Sequence, residues 1–257
     1  MLDSTRSVRL ILTSLLIVSW TSSTSFAQQD AATLAGTFSA ELRNRSGLCV
    51  YIGKDEAAIP ILLSANGTRV VNILTADAAA VSTLREQLTA QQLSGIVTAE
   101  QISLGHLPHS ENLVNLVVVN HASRQLAGGL QLADVARILA PGGVGWIGQR
   151  RSAGRLDLAG IVAQLREAGI ENVSVRKEHG NWIRFVKPRP AEMDIWTHNK
   201  YDATGNPVSR DTQIGVPRGV RWMAGPVWPT GHRKQAVPTV VASEKRLVYV
   251  FQDEVVI

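Results

Sequence analysis

Between Gly47 and Val186 short apolar runs alternate with helix-periodic stretches, and that alternation confines the chain to an α/β architecture. Leu48–Ile52 (LCVYI), Val70–Leu74 (VVNIL) and Leu113–Val119 (LVNLVVV) are continuously apolar, as expected of strands covered on both faces. The last is dense in β-branched residues, which suit a pleated, packed surface. Gly95–Thr98 and Val144–Ile147 read as further strands. Helical spacing marks Asp55–Ala65, with Ala58, Ile59, Leu62 and Leu63 on its apolar side and Gly67 as its stop. It marks Ala78–Thr89, with Asp77 as N-cap and Val81, Leu84 and Leu88 on one face. Leu132–Leu139 and Asp157–Ala168 are the other helices, the second closed by Gly169. His106–Asn112 is expected to be a loop and Pro141-Gly142-Gly143 a turn. Val173–Arg176 and Trp182–Val186, joined at His179–Asn181, close the series as an antiparallel pair. Strands joined through helices pair in parallel by right-handed crossovers, so the expectation is a three-layer sandwich with a mostly parallel sheet and an antiparallel edge.

The flanks differ in character. Arg6 and Arg9 precede an apolar stretch, Leu10–Trp20, and then a small, polar Thr21–Ala27 with Ser25 and Ala27 at −3 and −1 of a cleavage site. Residues 1–27 therefore read as a secretory signal peptide, with a retained N-terminal anchor as the other reading. The mature chain is expected outside the cytoplasm, in the periplasm, at the cell surface or secreted, with no integral membrane span once the signal is removed. Residues 28–46 are small and polar and read as an N-terminal lead-in. The 26 basic and 21 acidic residues are scattered, which argues against a nucleic-acid surface. Cys49 is the lone cysteine, inside an apolar strand, and reads as a small buried hydrophobe. His106 and His109 lack a third ligand nearby, and no metal site is expected. Around Lys187-Pro188-Arg189-Pro190 helical periodicity ends, which places a boundary between a domain over 47–187 and an all-β segment over 188–257. Val237–Ala242 and Arg246–Phe251 read there as a hairpin.

Two resemblances follow. Residues 47–186 resemble a class I S-adenosylmethionine-dependent methyltransferase, a Rossmann-like fold. They do so through the element order, through Leu139-Ala140-Pro141-Gly142-Gly143 before an apolar strand, and through Leu107-Pro108-His109-Ser110-Glu111-Asn112-Leu113-Val114 before the strongest one. Residues 190–257 resemble the opening of PQQ-like β-propeller repeats. The residues that carry this are Trp196-Thr197-His198, Tyr201-Asp202, Gly205-Asn206, Pro217-Arg218, Trp222, Gly225-Pro226 and Trp228. A propeller needs several four-stranded blades, so this segment reads as a truncated start that cannot close a ring or form a central quinone pocket. Its partner would be the missing propeller portion or another exported protein.

The first resemblance implies S-adenosylmethionine as cofactor, bound at the carboxyl ends of the strands where parallel sheets take ligands. The matching positions are Gly53 and Asp55 after the first strand, Thr75 and Asp77 at the tip of the second, and Asn120 beyond the fourth. The family's turn after the first strand is glycine-rich so that backbone and cofactor approach closely. Here it reads Gly53-Lys54-Asp55-Glu56-Ala57, with a single glycine. A carboxylate at the second tip would accept both ribose hydroxyls. Asp77 suits that role, or is only a helix cap. His121 either removes a proton from the acceptor or is a plain loop residue. Three functions stay open: an exported methyltransferase acting on an unknown acceptor, a catalytically degenerate scaffold beside an incomplete propeller, and a quinoprotein. The degraded glycine turn and the expected compartment favour the second over the first.

Overall fold

The computed structural model describes residues 29–42, 46–54, 57–213, 240–243, 246–251 and 254–256. The chain divides into two compact units that meet between Pro188 and Arg189.

The first unit is a seven-stranded sheet of order β3-β2-β1-β4-β5-β7-β6 with helices on both faces. In chain order its elements are α1 (29–40), β1 (Gly47–Ile52), α2 (Ala58–Leu63), β2 (Arg69–Thr75), α3 (Ala78–Ala90), β3 (Val97–Gln101), β4 (Val114–Val119), α4 (Ala122–Ala127), α5 (Leu132–Ile138), β5 (Leu139–Gln149), α6 (Leu158–Glu167), β6 (Val173–Arg176) and β7 (Asn181–Val186). β1 lies between β2 and β4 and pairs in parallel with both, and β4 pairs in parallel with β5. β7 runs antiparallel to both β5 and β6. The expected mostly parallel sheet with an antiparallel edge is the one observed.

Side chains alternate across the sheet, so each central strand feeds two cores. Val50, Ile52, Val117 and Val119 pack on one face with Val135, Ile138, Ile161, Leu165 and Phe185. Cys49, Tyr51, Leu116 and Val118 pack on the other with Phe38, Ile59, Leu84, Trp146 and Trp182. The continuous apolar runs are explained by this double covering. At Gly145 the approach is closest: a Cβ there would lie 2.1 Å from the Phe185 ring of the paired strand, so only glycine lets that aromatic cross.

Three details differ from the sequence-based expectations. Residues 28–46, read as a lead-in, contain α1, whose Ala31, Leu34, Ala35 and Phe38 are buried. These recur at helical spacing, but two of the four are alanines, so the apolar stripe is weak in the sequence. Phe38 wedges between Trp146 and Trp182, with ring centroids 5.2 and 5.1 Å away, and Glu41 receives Arg184 on both oxygens at 2.6 and 2.8 Å. Pro141-Gly142-Gly143 is not a turn ahead of the strand but a bulge inside β5. Val114 pairs with Leu139 and Leu116 with Val144, and the backbone of Lys187 exchanges hydrogen bonds with Gly142 and Gly143 across the bulge. The helix expected over Asp55–Ala65 is shorter, spanning Ala58–Leu63 with a 3-10 turn at Ala65–Gly67 behind it; Leu62, expected on the apolar side, is exposed.

In the second unit, Asp194 organises the irregular stretch after Arg189. Its carboxylate accepts from the Ser209 hydroxyl (2.7 Å), the Tyr201 hydroxyl (3.1 Å) and the Arg210 backbone, and Trp196 packs on Tyr201 at 5.5 Å. The strands β8 (Val240–Ser243), β9 (Arg246–Phe251) and β10 (Glu254–Val256) form an antiparallel sheet of order β10-β9-β8, one strand more than the expected hairpin. Pro217-Arg218, Trp222, Gly225-Pro226 and Trp228, which carry much of the propeller resemblance, lie outside the described residues, as does the 1–27 leader. No described helix is long and apolar enough to cross a membrane.

Candidate functional site

The strand order reverses direction at β1 and β4: one half of the sheet grows from β1 through β2 to β3, the other from β4 through β5. Loops at the carboxyl ends of two such strands diverge and leave a crevice, which is where open parallel sheets bind ligands. The residues at this edge are Gly53 and Lys54 after β1, Thr75 and Asp77 at β2, and Asn120 and His121 after β4. Of the five expected cofactor residues, Gly53, Thr75, Asp77 and Asn120 come to this one edge, and Asp55 lies outside the described residues, as does Glu56.

The backbone extends the ladders one residue past the strands. Gly53 N–H donates to Leu74 O and Asn120 N–H donates to Ile52 O, each at 3.0 Å. Gly53 has φ +155°, and a Cβ on it would press within 3.3 Å of the Tyr51 ring and 3.5 Å of Asn120 Cβ. Glycine therefore suits this positive-φ position, which is packed against the Tyr51 ring and Asn120.

Two of the expected residues spend their side chains on the fold itself. Asn120 is almost wholly buried: its amide nitrogen donates to Tyr51 Oη at 2.7 Å, and its Oδ1 accepts the His121 N–H at 2.9 Å. That second bond supports His121 in a left-handed conformation (φ 51°, ψ 49°), from which α4 begins. His121 is thus the start of a helix, where the sequence reading had only a loop. Thr75 Oγ1 accepts the Asp77 N–H at 3.2 Å and shapes the turn after β2.

Of the two roles the sequence left open for Asp77, the helix cap is the one observed. Asp77 Oδ1 accepts the Ala80 N–H at 3.1 Å, which makes it the N-cap of α3. Its Oδ2 receives Lys54 Nζ at 2.5 Å. The hydrogen bond from Lys54, then that from the Ala80 N–H, hold the Asp77 carboxyl below the ordinary carboxylate range. Both partners are about one-third exposed, 36% for Lys54 and 35% for Asp77, so the pair sits at the surface of the crevice.

Sequence reasoning missed two features. One is the Lys54–Asp77 pair itself. Its signal was present: β1 and β2 run parallel with Ile52 beside Leu74, so residues just past the two tips are neighbours. The other is Gln149, fully buried at the carboxyl end of β5. Its Oε1 accepts the Ser123 N–H (3.1 Å) and hydroxyl (2.7 Å), and its Nε2 donates to Ala153 O (3.2 Å) and Gly154 O (3.1 Å). One side chain thereby joins the start of α4 to the segment that follows β5. A polar residue ending an otherwise apolar strand was the available signal.

His106 and His109 lie in the loop between β3 and β4, which Asp134 and Arg137 of α5 hold down. Arg137 donates to Asp134 (2.5 Å), His109 O (2.8 Å) and Leu107 O (2.9 Å), while Asp134 also receives the Leu107 N–H. Among the described residues no group of three or more His, Cys, Asp or Glu side chains is placed to hold a metal ion.

No family model matches the sequence, and no curated protein matches it. The fold does match solved structures. One is a Methanococcus maripaludis protein assigned to the S-adenosyl-L-methionine-dependent methyltransferases, 16% identical, with a TM-score of 0.56 over 64% of this chain and 88% of the other. Another is the [4+2]-cyclase SpnF, 13% identical, with a TM-score of 0.51 over 62% of this chain and 81% of that one. The first unit therefore has the Rossmann-like fold of class I S-adenosylmethionine-dependent methyltransferases. A cyclase among the neighbours shows that this architecture hosts more than one chemistry.

Proposed function

We propose that the chain is an exported, S-adenosylmethionine-dependent methyltransferase-like protein that binds its cofactor in the crevice between β1 and β4. The observation that carries this is the convergence at one edge of a glycine, Gly53, and a carboxylate on the neighbouring tip, Asp77. These two residues fit the cofactor. Gly53 brings no side chain to that edge, and Asp77 Oδ2, which already accepts from one cationic donor, is the acceptor for the ribose hydroxyls once Lys54 withdraws. Thr75 and Asn120 act one step back, shaping the two loops. When bound, the cofactor would supply an electrophilic methyl group on a sulfonium sulfur for a nucleophilic acceptor. Transfer of that kind depends chiefly on in-line placement. His121, at the head of α4, either removes a proton from the acceptor or serves only to start the helix. Export rests on the 1–27 leader.

A second reading is favoured by one observation, the closed Lys54–Asp77 pair. With Asp77 engaged by Lys54 and Ala80, and with the Thr75 and Asn120 side chains bonded within the fold, the edge is satisfied without a ligand. On that reading the unit is a scaffold beside the C-terminal β segment. Calorimetry of the full chain with S-adenosylmethionine separates the two. Saturable binding tighter than about 100 μM, near −5.5 kcal/mol, that weakens in Asp77→Ala supports the enzyme. A folded protein that gives no heat at millimolar cofactor leaves the scaffold.

A further inference from the structure

Beyond the crevice, the surface of the first unit carries an open hollow of about 340 Å³ whose walls come from three places: Asp30 near the start of α1, Arg150 and Arg151 just after β5, and Lys177, Glu178 and His179 in the turn between β6 and β7. That volume lies in the range of small-molecule sites, roughly 300–1,000 Å³. The charge of its lining is asymmetric. Three permanent cations, Arg150, Arg151 and Lys177, face two carboxylates, Asp30 and Glu178.

The Arg150 side chain is only 18% exposed and forms an ion pair at 3.6 Å with Asp30, which is 64% exposed, so the carboxylate beside this guanidinium is one that an incoming anion competes with. Arg151 Nη2 donates to Lys177 O at 2.9 Å, which ties the segment after β5 to the β6–β7 turn and closes the wall. A guanidinium presents a planar fork of N–H donors that matches a carboxylate or a phosphate. The hollow is anchored to the crevice through Gln149, the residue before Arg150: the side chain that holds Ser123 at the head of α4 also holds Ala153 and Gly154 behind the hollow's arginines.

We propose that this hollow is an oxyanion site, taking the carboxylate or phosphate of a small molecule. Resting on the methyltransferase reading above, it seats the anionic end of the acceptor.

The test is calorimetry on the full chain at low ionic strength with sodium phosphate and sodium succinate as separate probes, with S-adenosylmethionine titrated into the same proteins. At least one anion is expected to bind saturably at about 1 mM or tighter; which one binds tells phosphate from carboxylate. Arg151→Ala combined with Lys177→Ala, both exposed side chains, is expected to weaken that binding about tenfold. Asp30→Asn, which removes the competing carboxylate, is expected to strengthen it. Cofactor binding stays unchanged in all three proteins. Absence of saturable binding by either anion, or equal affinity in wild type and the double variant, overturns the site. If the double variant does not fold, Asp30→Asn decides alone, and unchanged affinity there overturns the site. Anion binding without cofactor binding keeps the oxyanion site and removes its assignment to a methyl acceptor; cofactor binding without anion binding does the reverse.

Discussion

Phe38→Ala measures whether α1 is part of the folded unit. The ring is fully buried and touches Trp146 at 5.2 Å and Trp182 at 5.1 Å, tilted or edge-on in both cases. Truncating a buried phenylalanine to alanine costs about 3–5 kcal/mol. Each aromatic contact is itself worth about 0.5–1.5 kcal/mol, which keeps this site off the low end of that range, near 4 kcal/mol. For a chain of this size each kcal/mol lowers Tm by about 2–4 °C, so the expected fall is roughly 8–16 °C. Far-UV circular dichroism is the appropriate probe, because every described helix belongs to the first unit. Thr37→Ala is the control: it lies on the exposed face of the same helix and is expected to stay within about 0.5 kcal/mol of wild type. A loss below about 1 kcal/mol for Phe38→Ala, equal to that of Thr37→Ala, would falsify the packing of α1 against β5 and β7.

Three further outcomes follow from the same geometry. Lys54→Ala removes the cation that holds Asp77 Oδ2, so S-adenosylmethionine affinity by calorimetry is expected to rise, whereas Asp77→Ala lowers it; a fall in both variants means that Lys54 itself contacts the ligand. Cys49 is fully buried, and burial pushes its thiol up to about 12 while the nearby Arg69 charge pulls it part of the way back. A colorimetric thiol reagent at pH 8 is therefore expected to find no reactive thiol in the native protein and to react with Cys49 after unfolding in guanidinium. Burial alone would raise the Asp134 carboxyl, but hydrogen bonds from Arg137 and the Leu107 N–H, with the Arg137 and His106 charges, hold it below its ordinary value. A depressed carboxyl contributes stability that is fully present above its unfolded pKa, about 3.9, and is lost as pH falls through the lower folded value. Asp134→Asn is thus expected to lower the melting temperature at pH 7 and to differ less from wild type near pH 2; a constant difference across that range refutes the charge argument.

Much of the fold could be read from the chain because its determinants are local and repetitive. LCVYI, VVNIL and LVNLVVV need no knowledge of their partners to declare themselves as strands buried on both faces. The caps Asp77 and Asp157 announce α3 and α6 within a few residues, and both caps are made, to Ala80 N at 3.1 Å and Gly160 N at 3.0 Å. What escaped depends on partners far along the sequence. α1 carries one large aromatic among alanines, and its burial makes sense only with Trp146 and Trp182 supplied from β5 and β7. The Pro141-Gly142-Gly143 bulge looks like a turn until Lys187 pairs with it.

The candidate site divides along the same line. Strand tips are predictable, so Gly53, Thr75, Asp77 and Asn120 could be placed at one edge in advance. Their roles could not, because a polar side chain's role is set by which of its lone pairs and N–H groups the fold has already claimed. Asn120 is claimed by Tyr51, 69 positions earlier, and Gln149 by Ser123, 26 positions earlier. Asp77 is claimed at one oxygen by its own helix and at the other by Lys54, and that second claim is a part-exposed ion pair of the kind that contributes little to stability. On the cofactor reading proposed above the question therefore comes down to Lys54: its charge holds the second Asp77 oxygen, and whether it yields to S-adenosylmethionine separates a binding crevice from a scaffold.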